Sequence, residues 1–268
     1  MELESSEMEK KKKHFVLVHG ACLGAWTWYK VAARLKSGGS GGGDCKVTAL
    51  DMAACGINPR SVEDIHSMED YSEPLMEFME GLPEGERVIL VGHSMGGASI
   101  SLAMEKFPLK IAVAVFLAAD MPCLGIDMKP IYEKYKRSVD FYMDSKFVSG
   151  KDGKGGSFLF GPKYMSTKIF QLCPPEDLEL ALALIRPTPG SVDEDVSNAL
   201  TQENYGSVPR VYIKAEDDML INRPIENFRI ENYPPQELKI IHNADHMAML
   251  SNPNDLSSYL LQISLKYM

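Results

Sequence analysis

The sequence predicts an α/β fold in which a mostly parallel, twisted sheet carries helices on both faces. Between residue 14 and about residue 120, short apolar runs alternate with helix-like segments. Such a strand–helix–strand rhythm is typical of a parallel sheet with helices packed on it. The chain has 268 residues, of which 45% are hydrophobic and 24% are charged, and this composition suits one large globular domain.

Each element is predicted from its own pattern of apolar residues. Residues 71–79 predict a helix, because Leu75, Met76 and Met79 share one face. The chain ends with a predicted helix over residues 255–266. Short apolar runs predict strands at residues 15–18, 47–50, 88–91, 111–118, 209–215 and 238–241.

The most informative segment is residues 88–97, where four apolar residues lead into Gly92-His93-Ser94-Met95-Gly96 and a helix-like segment follows. Gly-x-Ser-x-Gly between a strand and a helix is typical of a nucleophile elbow, a sharp turn that exposes a serine hydroxyl. The turn strains the serine backbone, and the glycines let strand and helix approach each other. We therefore predict that Ser94 is a nucleophile.

A serine hydroxyl is a weak nucleophile at neutral pH, so Ser94 needs a histidine base and a carboxylate that orients the base. In enzymes with this elbow, the chain order is Ser, then Asp or Glu, then His. His246 follows the last predicted strand, and the acidic run at residues 216–218 follows the strand before it. Both groups thus come just past strand ends, where ligand sites form in parallel sheets. The order Ser94, Asp218, His246 fits.

Both partners have alternatives in the sequence. Glu216, Asp217 and Asp218 form one run that could also be a solvated turn, so the residues alone leave the acid open. His93 lies inside the elbow and is expected to point away from the serine oxygen. His242 directly follows a strand and is expected to be structural or solvent-facing. The other competing histidines are His14, His19 and His66.

Negative charge that develops on a substrate oxygen requires fixed hydrogen-bond donors. The backbone N–H of Met95, the residue after the nucleophile, is expected to be one of them. The loop after the first strand should supply the other, because Gly20 lets the backbone bend close to the site and Ala21 follows with its N–H. We therefore predict that Gly20, Ala21 and Met95 form the oxyanion hole.

The strand–helix rhythm breaks between residue 121 and about residue 207. Helices are predicted there over residues 132–138, 162–172 and 174–185, with a glycine-rich linker at 150–156. We expect residues 121–207 to form a mainly helical cap that covers Ser94 and an apolar pocket. Residues 14–120 and 208–268 are expected to form the core, with a flexible arm at 1–13 and a surface loop at the glycine run 38–43.

Composition excludes several functional classes. The net charge of −9 disfavours nucleic acid and anionic membranes as partners. No segment resembles a secretory signal or approaches the length of a transmembrane helix. The five cysteines are scattered, so reduced thiols are expected rather than disulfides. No metal-binding motif is present, and neither a metal nor a cofactor is expected. These features predict a cytoplasmic protein.

Several segments are similar to the plant methylesterase and hydroxynitrile lyase family of α/β-hydrolases. The similarity runs from about residue 14 to the end of the chain. The matching segments are HFVLVHGAC at 14–22, VTALD at 47–51, DYSEPL at 70–75, VGHS at 91–94, GPK at 161–163, PEDL at 175–178, YGSV at 205–208 and ADHMAML at 244–250. The resemblance implies an α/β-hydrolase fold. It also places the acid third in the acidic run, which selects Asp218, and assigns the oxyanion donors to Ala21 and Met95.

Two positions separate activities within this family. Hydroxynitrile lyases carry threonine at the position of Gly20 and lysine at the position of Met247. The threonine binds the cyanohydrin hydroxyl, and the lysine stabilises the leaving cyanide. Glycine and methionine suit an ester pocket instead, so Gly20 and Met247 are expected at the substrate site of an esterase.

The resemblance implies a serine esterase that cleaves the methyl ester of a small plant metabolite through an acyl-enzyme. Members of the family act on hormone, phenolic and indole alkaloid esters, and some alkaloid products lose carbon dioxide after hydrolysis. A small-molecule ester is therefore the expected partner, and the family also implies a homodimer. The alternatives are a lyase on the same fold or a ligand-binding receptor with little turnover.

Overall fold

A computed structural model describes residues 13–37, 45–150, 156–190 and 196–268. The strands are β1 (His14–Val18), β2 (Lys46–Leu50), β3 (Val88–His93), β4 (Ile111–Leu117), β5 (Lys146–Ser149), β6 (Gly156–Leu159), β7 (Thr188–Pro189), β8 (Arg210–Ala215) and β9 (Glu237–Ile241). The helices are α1 (Tyr29–Lys36), α2 (Met68–Glu80), α3 (Gly96–Lys106), α4 (Lys129–Lys134), α5 (Pro162–Tyr164), α6 (Pro175–Leu184), α7 (Arg223–Asn232), α8 (Ala248–Ser251) and α9 (Pro253–Tyr267).

Six strands form one parallel sheet in the order β2-β1-β3-β4-β8-β9, which confirms the predicted α/β fold. The chain moves from β1 outward to β2 and then returns to the other side of β1 to form β3. The strand order therefore reverses between β1 and β3, and Val18 pairs there with Gly92 at the carboxyl ends. Ligands bind at such a switch point in open parallel sheets. The predicted oxyanion loop and the predicted nucleophile both follow these two strands.

The sheet separates two hydrophobic clusters, because successive side chains of a strand point to opposite faces. Phe15 and Leu17 of β1 pack in one cluster, together with residues of α1, α8 and α9. Val16 and Val18 pack in the other, with residues of α2 and α3. Every residue of β1, β3 and β4 is buried, as expected for strands covered on both faces. This packing holds the loops at the strand ends in place.

The helix predicted over residues 71–79 begins three residues earlier, at Met68. The Ser67 hydroxyl accepts a hydrogen bond from the N–H of Asp70 at 3.1 Å and caps the first turn. The apolar pattern identified the buried face of this helix but not its polar first turn. Helix α9 is likewise capped by Asn252, with Pro253 at its first position, and starts before the predicted residue 255.

The segment between β4 and β8 is mainly helical, as predicted, but not entirely so. It contains a three-stranded antiparallel sheet in the order β5-β6-β7, which was not predicted. These strands have two to four residues and no buried alternation, so their sequence carries no period-two signal. The helix expected at 132–138 is α4, which begins at Lys129. The helix expected at 162–172 is α5, which continues as a π-helix over Met165–Ile169.

Several predicted segments lie outside the described residues. These are the N-terminal arm up to residue 12, the glycine run 38–43 and most of the linker 150–156. Within the described ranges, no helix combines the length and the hydrophobicity needed to cross a membrane. All five cysteines lie in those ranges, and none of them forms a disulfide bond there.

Candidate active site

Ser94 occupies the turn between β3 and α3 and has a φ of +54°, a value that residues with a side chain seldom adopt. Three backbone hydrogen bonds hold it there. Its N–H donates to the carbonyl of Leu117, and its own carbonyl accepts from the N–H groups of Gly97 and Asp120. A left-handed conformation of this kind costs on the order of 1–3 kcal/mol. The fold supplies that energy and presents the Ser94 hydroxyl at the switch point.

Glycines surround this turn because the backbone approaches too closely for side chains. A Cβ added at Gly92 would lie 2.7 Å from the carbonyl oxygen of Gly96. A Cβ at Gly96 would lie 2.6 Å from the carbonyl oxygen of His19, in the loop after β1. A Cβ at Gly20 would lie 2.8 Å from the Cβ of Ser94. The strand, the helix and the loop that carries Ala21 thus converge on the serine.

Gly97 gives a test of this packing. A Cβ at this position would lie 2.1 Å from the backbone oxygen of Asp120, which has no room to move because the Asp120 N–H is bonded to Ser94. We expect Gly97→Ala to lower the free energy of unfolding by about 3 kcal/mol or more. Gly81→Ala is the matched control, since its nearest neighbour would be 3.5 Å away. Chemical denaturation of both variants measures the difference, and equal stabilities would contradict this account of the turn.

Asp218 and His246 form a hydrogen-bonded pair. The Asp218 Oδ2 and the His246 Nδ1 are 2.7 Å apart, and both residues are buried. The second oxygen, Oδ1, accepts hydrogen bonds from the backbone N–H groups of Leu220 at 2.7 Å and Ile221 at 2.9 Å. Because an ionised carboxylate only accepts, the His246 Nδ1 carries the proton and its Nε2 is left as an acceptor.

The environment keeps Asp218 ionised. Burial alone would raise the pKa of this carboxyl, but the charge and hydrogen bond of His246 and the two backbone N–H groups outweigh burial. The pKa of Asp218 therefore lies below its ordinary value. Glu216 and Asp217, the alternatives in the same run, are exposed, and Glu216 pairs with His242. The structure thus brings only Asp218 of this run to His246.

The competing histidines lie elsewhere. The His14 side chain bonds Glu86 and Thr48, and His66 and His242 are exposed. The His19 Nδ1 donates to the carbonyl of Gly20, and its Nε2 accepts from the N–H of Met52. Burial lowers the pKa of His19, so one neutral tautomer makes both bonds. His19 fixes the loop next to Ser94 but does not face the cavity.

His93, which is expected to point away from the serine oxygen, packs its ring against that of His246. The His93 Nε2 donates to the backbone carbonyl of His246 at 2.9 Å, and the two ring centroids are 4.5 Å apart. Burial and the nearby His246 hold the pKa of His93 well below its ordinary value. A neutral His93 therefore supports the loop that carries His246. Its place in the elbow motif gave no sign of this role.

The loop after β1 is held at two further points. The Thr188 hydroxyl, from β7, accepts a hydrogen bond from the Cys22 N–H at 2.6 Å, and the Cys22 carbonyl accepts from the N–H of Arg186. Cys22 has a φ of +62°, so these bonds stabilise a strained backbone. Among the described residues, the N–H groups of Ala21 and Met95 donate to no protein atom. Met95 lines the cavity next to Ser94, whereas Gly20 and Ala21, the other predicted residues of the oxyanion hole, are not among its lining residues.

Ser94, Met95 and His246 line one cavity of about 520 Å³. The apolar pocket expected from the sequence is only partly correct, because charged and hydroxyl side chains also line the cavity, among them Asp120, Tyr132 and Arg137. Met247 was expected at the substrate site. It is fully buried in the core cluster next to β1, so the structure does not place it on the cavity wall.

Two buried polar residues near the site were not singled out from the sequence. The Asp245 carboxylate accepts hydrogen bonds from the N–H groups of Met247 and Leu172, joining the His246 loop to the segment between β4 and β8. The Tyr212 hydroxyl bonds the backbone of Ala119, next to the turn that holds Ser94. Leu172 and Ala119 are distant in sequence from Asp245 and Tyr212, so only the fold shows these two contacts. In the described ranges, no three His, Cys, Asp or Glu side chains cluster as metal ligands would.

The chain is similar to several known proteins over nearly its full length. A model described as the alpha/beta hydrolase family matches residues 15–257. The chain is 44% identical to methyl jasmonate esterase 1 of Vitis vinifera, over 97% of this chain and 100% of that protein. It is 45% identical to salicylic acid-binding protein 2 of Nicotiana tabacum, over 96% and 99%.

Polyneuridine aldehyde esterase of Rauvolfia serpentina is 45% identical, over 98% of this chain and 99% of that protein. A crystal structure of polyneuridine aldehyde esterase superposes with a TM-score of 0.86, at 45% identity, and the match covers 95% of this chain and 100% of that one. The likeness thus extends to nearly the full length of both chains.

Proposed function

Because the chain belongs to the alpha/beta hydrolase family, and within it to the group that includes plant methylesterases, we propose that it is a serine esterase that hydrolyses the methyl ester of a small plant metabolite. The observation that carries this proposal is that Ser94 and His246 line one cavity, while the Asp218 carboxylate forms a hydrogen bond with the His246 Nδ1. Glycine at position 20 leaves no side chain to bind a cyanohydrin hydroxyl, which favours ester hydrolysis over the lyase reaction.

In the proposed mechanism, the Ser94 Oγ attacks the ester carbonyl carbon while the His246 Nε2 takes the hydroxyl proton. Negative charge moves to the carbonyl oxygen, where the N–H groups of Ala21 and Met95 stabilise it. His246 then gives its proton to the departing methoxide, which leaves as methanol. Water attacks the acyl-enzyme with His246 as base, and this step releases the acid and restores Ser94.

We further propose that residues 121–207 form a cap over this cavity. Contacts with the core support this division of the chain. The buried Asp177 of α6 accepts a hydrogen bond from the Tyr29 hydroxyl at 2.8 Å and pairs with Lys30. Arg186 donates to the carbonyl oxygens of Gly56 and Asn58. A cavity of about 520 Å³ is in the usual range for a small-molecule site.

The substrate class follows from the relatives. Their names include a methyl jasmonate esterase and a polyneuridine aldehyde esterase, so a hormone, phenolic or indole alkaloid ester is the proposed substrate. With an alkaloid β-aldehyde ester, the freed acid would lose carbon dioxide after hydrolysis. A cytoplasmic location and a homodimer stay predictions.

Turnover of an ester panel tests this function. We would incubate the purified protein with methyl salicylate, methyl jasmonate, methyl indole-3-acetate and an indole alkaloid methyl ester, and follow acid and methanol by mass spectrometry. The proposal expects rapid hydrolysis of at least one ester. Tight binding of a ligand without any hydrolysis would favour the receptor alternative.

A further inference from the structure

The cavity next to the candidate triad carries an excess of positive charge, although the whole chain has a net charge of −9. Its described lining includes the cations Lys136, Arg137 and Arg229 and the carboxylate of Asp120. The Asp120 Oδ1 accepts a hydrogen bond from the Arg229 Nη1 at 2.6 Å, so these two charges offset each other. The remaining cations are Lys136, which is exposed, and Arg137, which is half-buried.

The guanidinium of Arg137 is held in place but is not neutralised. Its Cζ lies 3.6 Å from the centre of the Phe141 ring, and its Nη2 donates to the carbonyl of Ile221 at 2.8 Å. Its Nη1 is buried and has no hydrogen-bond partner among the described residues, and no described carboxylate forms an ion pair with Arg137. Aromatic stacking therefore orients a planar cation that retains unused donors.

An anionic ligand would remove the free-energy cost of burying a positive charge and a hydrogen-bond donor without partners. Burial lowers the pKa of Arg137, which shows that its charge is poorly solvated, yet a guanidinium stays protonated in proteins. A buried donor without a partner is unfavourable, and a carboxylate matches the paired N–H groups of arginine better than a neutral oxygen does. The side chain is thus prepared for an acceptor that the protein itself does not supply.

Arg137 also lies close to the reacting groups. The Ile221 carbonyl that accepts its Nη2–H belongs to the residue whose N–H donates to Asp218 at 2.9 Å. The same cavity is lined by Arg137, Ser94 and His246. One substrate molecule in this cavity can therefore place an anionic group at Arg137 and its ester group at Ser94.

We propose, resting on the esterase function above, that Arg137 binds a carboxylate in the acyl part of the substrate. Among methyl esters of small metabolites, the site then prefers one that also carries a free carboxylate: the monomethyl ester of a dicarboxylic acid should bind better than the corresponding neutral diester. Arg137 acts as the residue that determines this preference, while the triad performs the same chemistry on either ester.

Binding to the Ser94→Ala protein tests the proposal without turnover. We would titrate it with the monomethyl and dimethyl esters of succinic, adipic and suberic acids, whose lengths sample the span from Ser94 to Arg137. For at least one acid, the monomethyl ester should bind roughly 10- to 100-fold more tightly than the dimethyl ester. Equal affinities for all three pairs would overturn the proposal.

Variants in the same background assign the preference to Arg137. Arg137→Gln should abolish the difference between the two esters, and Arg137→Lys should keep part of it. Arg34→Gln changes a half-buried arginine on α1 that does not line the cavity, and it should keep all of the difference. A preference that survives Arg137→Gln would overturn the proposal. An equal loss of affinity for both esters would also do so, because it would show that Arg137 only supports the Asp218 loop.

Turnover by the wild-type protein separates this inference from the proposed function. If the wild type hydrolyses the acidic esters, the preference should show in kcat/KM and disappear in Arg137→Gln. If it hydrolyses no ester while the Ser94→Ala protein still discriminates between the pairs, the esterase function is wrong and the anion site at Arg137 stands.

Discussion

Replacing Ser94 with alanine is expected to lower kcat for the preferred methyl ester by about 10⁴- to 10⁶-fold, with KM little changed. Alanine removes the attacking oxygen but keeps the backbone turn, because Ser94 already has a φ of +54° and its three hydrogen bonds use backbone atoms only. The protein should therefore fold normally and still bind ester. Steady-state kinetics with methanol detection measures the loss.

Ser258→Ala serves as the control for this substitution. Ser258 is an exposed serine on α9 whose hydroxyl accepts a hydrogen bond from the side chain of Gln262, and its substitution should leave kcat unchanged. A Ser94→Ala protein that hydrolysed the ester at the wild-type rate would mean that another group is the nucleophile. A loss confined to KM would mean that Ser94 only binds substrate.

Asp218→Asn is expected to lower kcat by about 10⁴-fold while leaving the fold intact. The N–H groups of Leu220 and Ile221 hold an acceptor at the Oδ1 position, so the amide oxygen of asparagine should take that place. Its NH₂ group then faces the Nδ1 of His246 as a donor. The imidazole must accept there, its proton moves to Nε2, and Ser94 loses its base.

The adjacent residue provides a matched control. Asp217→Asn makes the same change one position earlier, on an exposed side chain, and should leave kcat within a factor of about two. Kinetics of the two variants under one set of conditions compares them directly. Equal losses, or a loss only in Asp217→Asn, would show that the acid has been misassigned within the run.

The sharp turn at Ser94 and the sheet could be predicted because their signals are local. Gly92, Ser94 and Gly96 lie within five consecutive residues, and the buried strands are uninterrupted apolar runs. The choice among Glu216, Asp217 and Asp218, in contrast, has no local signal in the sequence. Neighbouring residues of one turn point in different directions, so the residues alone left the acid open. The family resemblance selected Asp218, and the fold shows Asp218 paired with His246.

Other features depend on contacts that sequence spacing cannot show. The bond between Cys22 and Thr188 joins residues 166 positions apart, and Thr188 belongs to a two-residue strand without any pattern. Arg137 lies just past the short helix α4, and its stacking on Phe141 is visible only in three dimensions. The polar part of the cavity was missed for this reason. The family resemblance identified the chemistry, but not these cavity side chains.

If Ser94 is the nucleophile, it forms an acyl-enzyme with the methyl ester, and this intermediate can be trapped. We would mix the protein with the preferred ester, quench with acid within milliseconds, digest the protein and map adducts by mass spectrometry. We expect a mass increase equal to the acyl group on the peptide that contains Ser94, and no such adduct in His246→Ala. Hydrolysis that proceeds with this peptide unmodified, at a rate that Ser94→Ala preserves, would contradict this expectation.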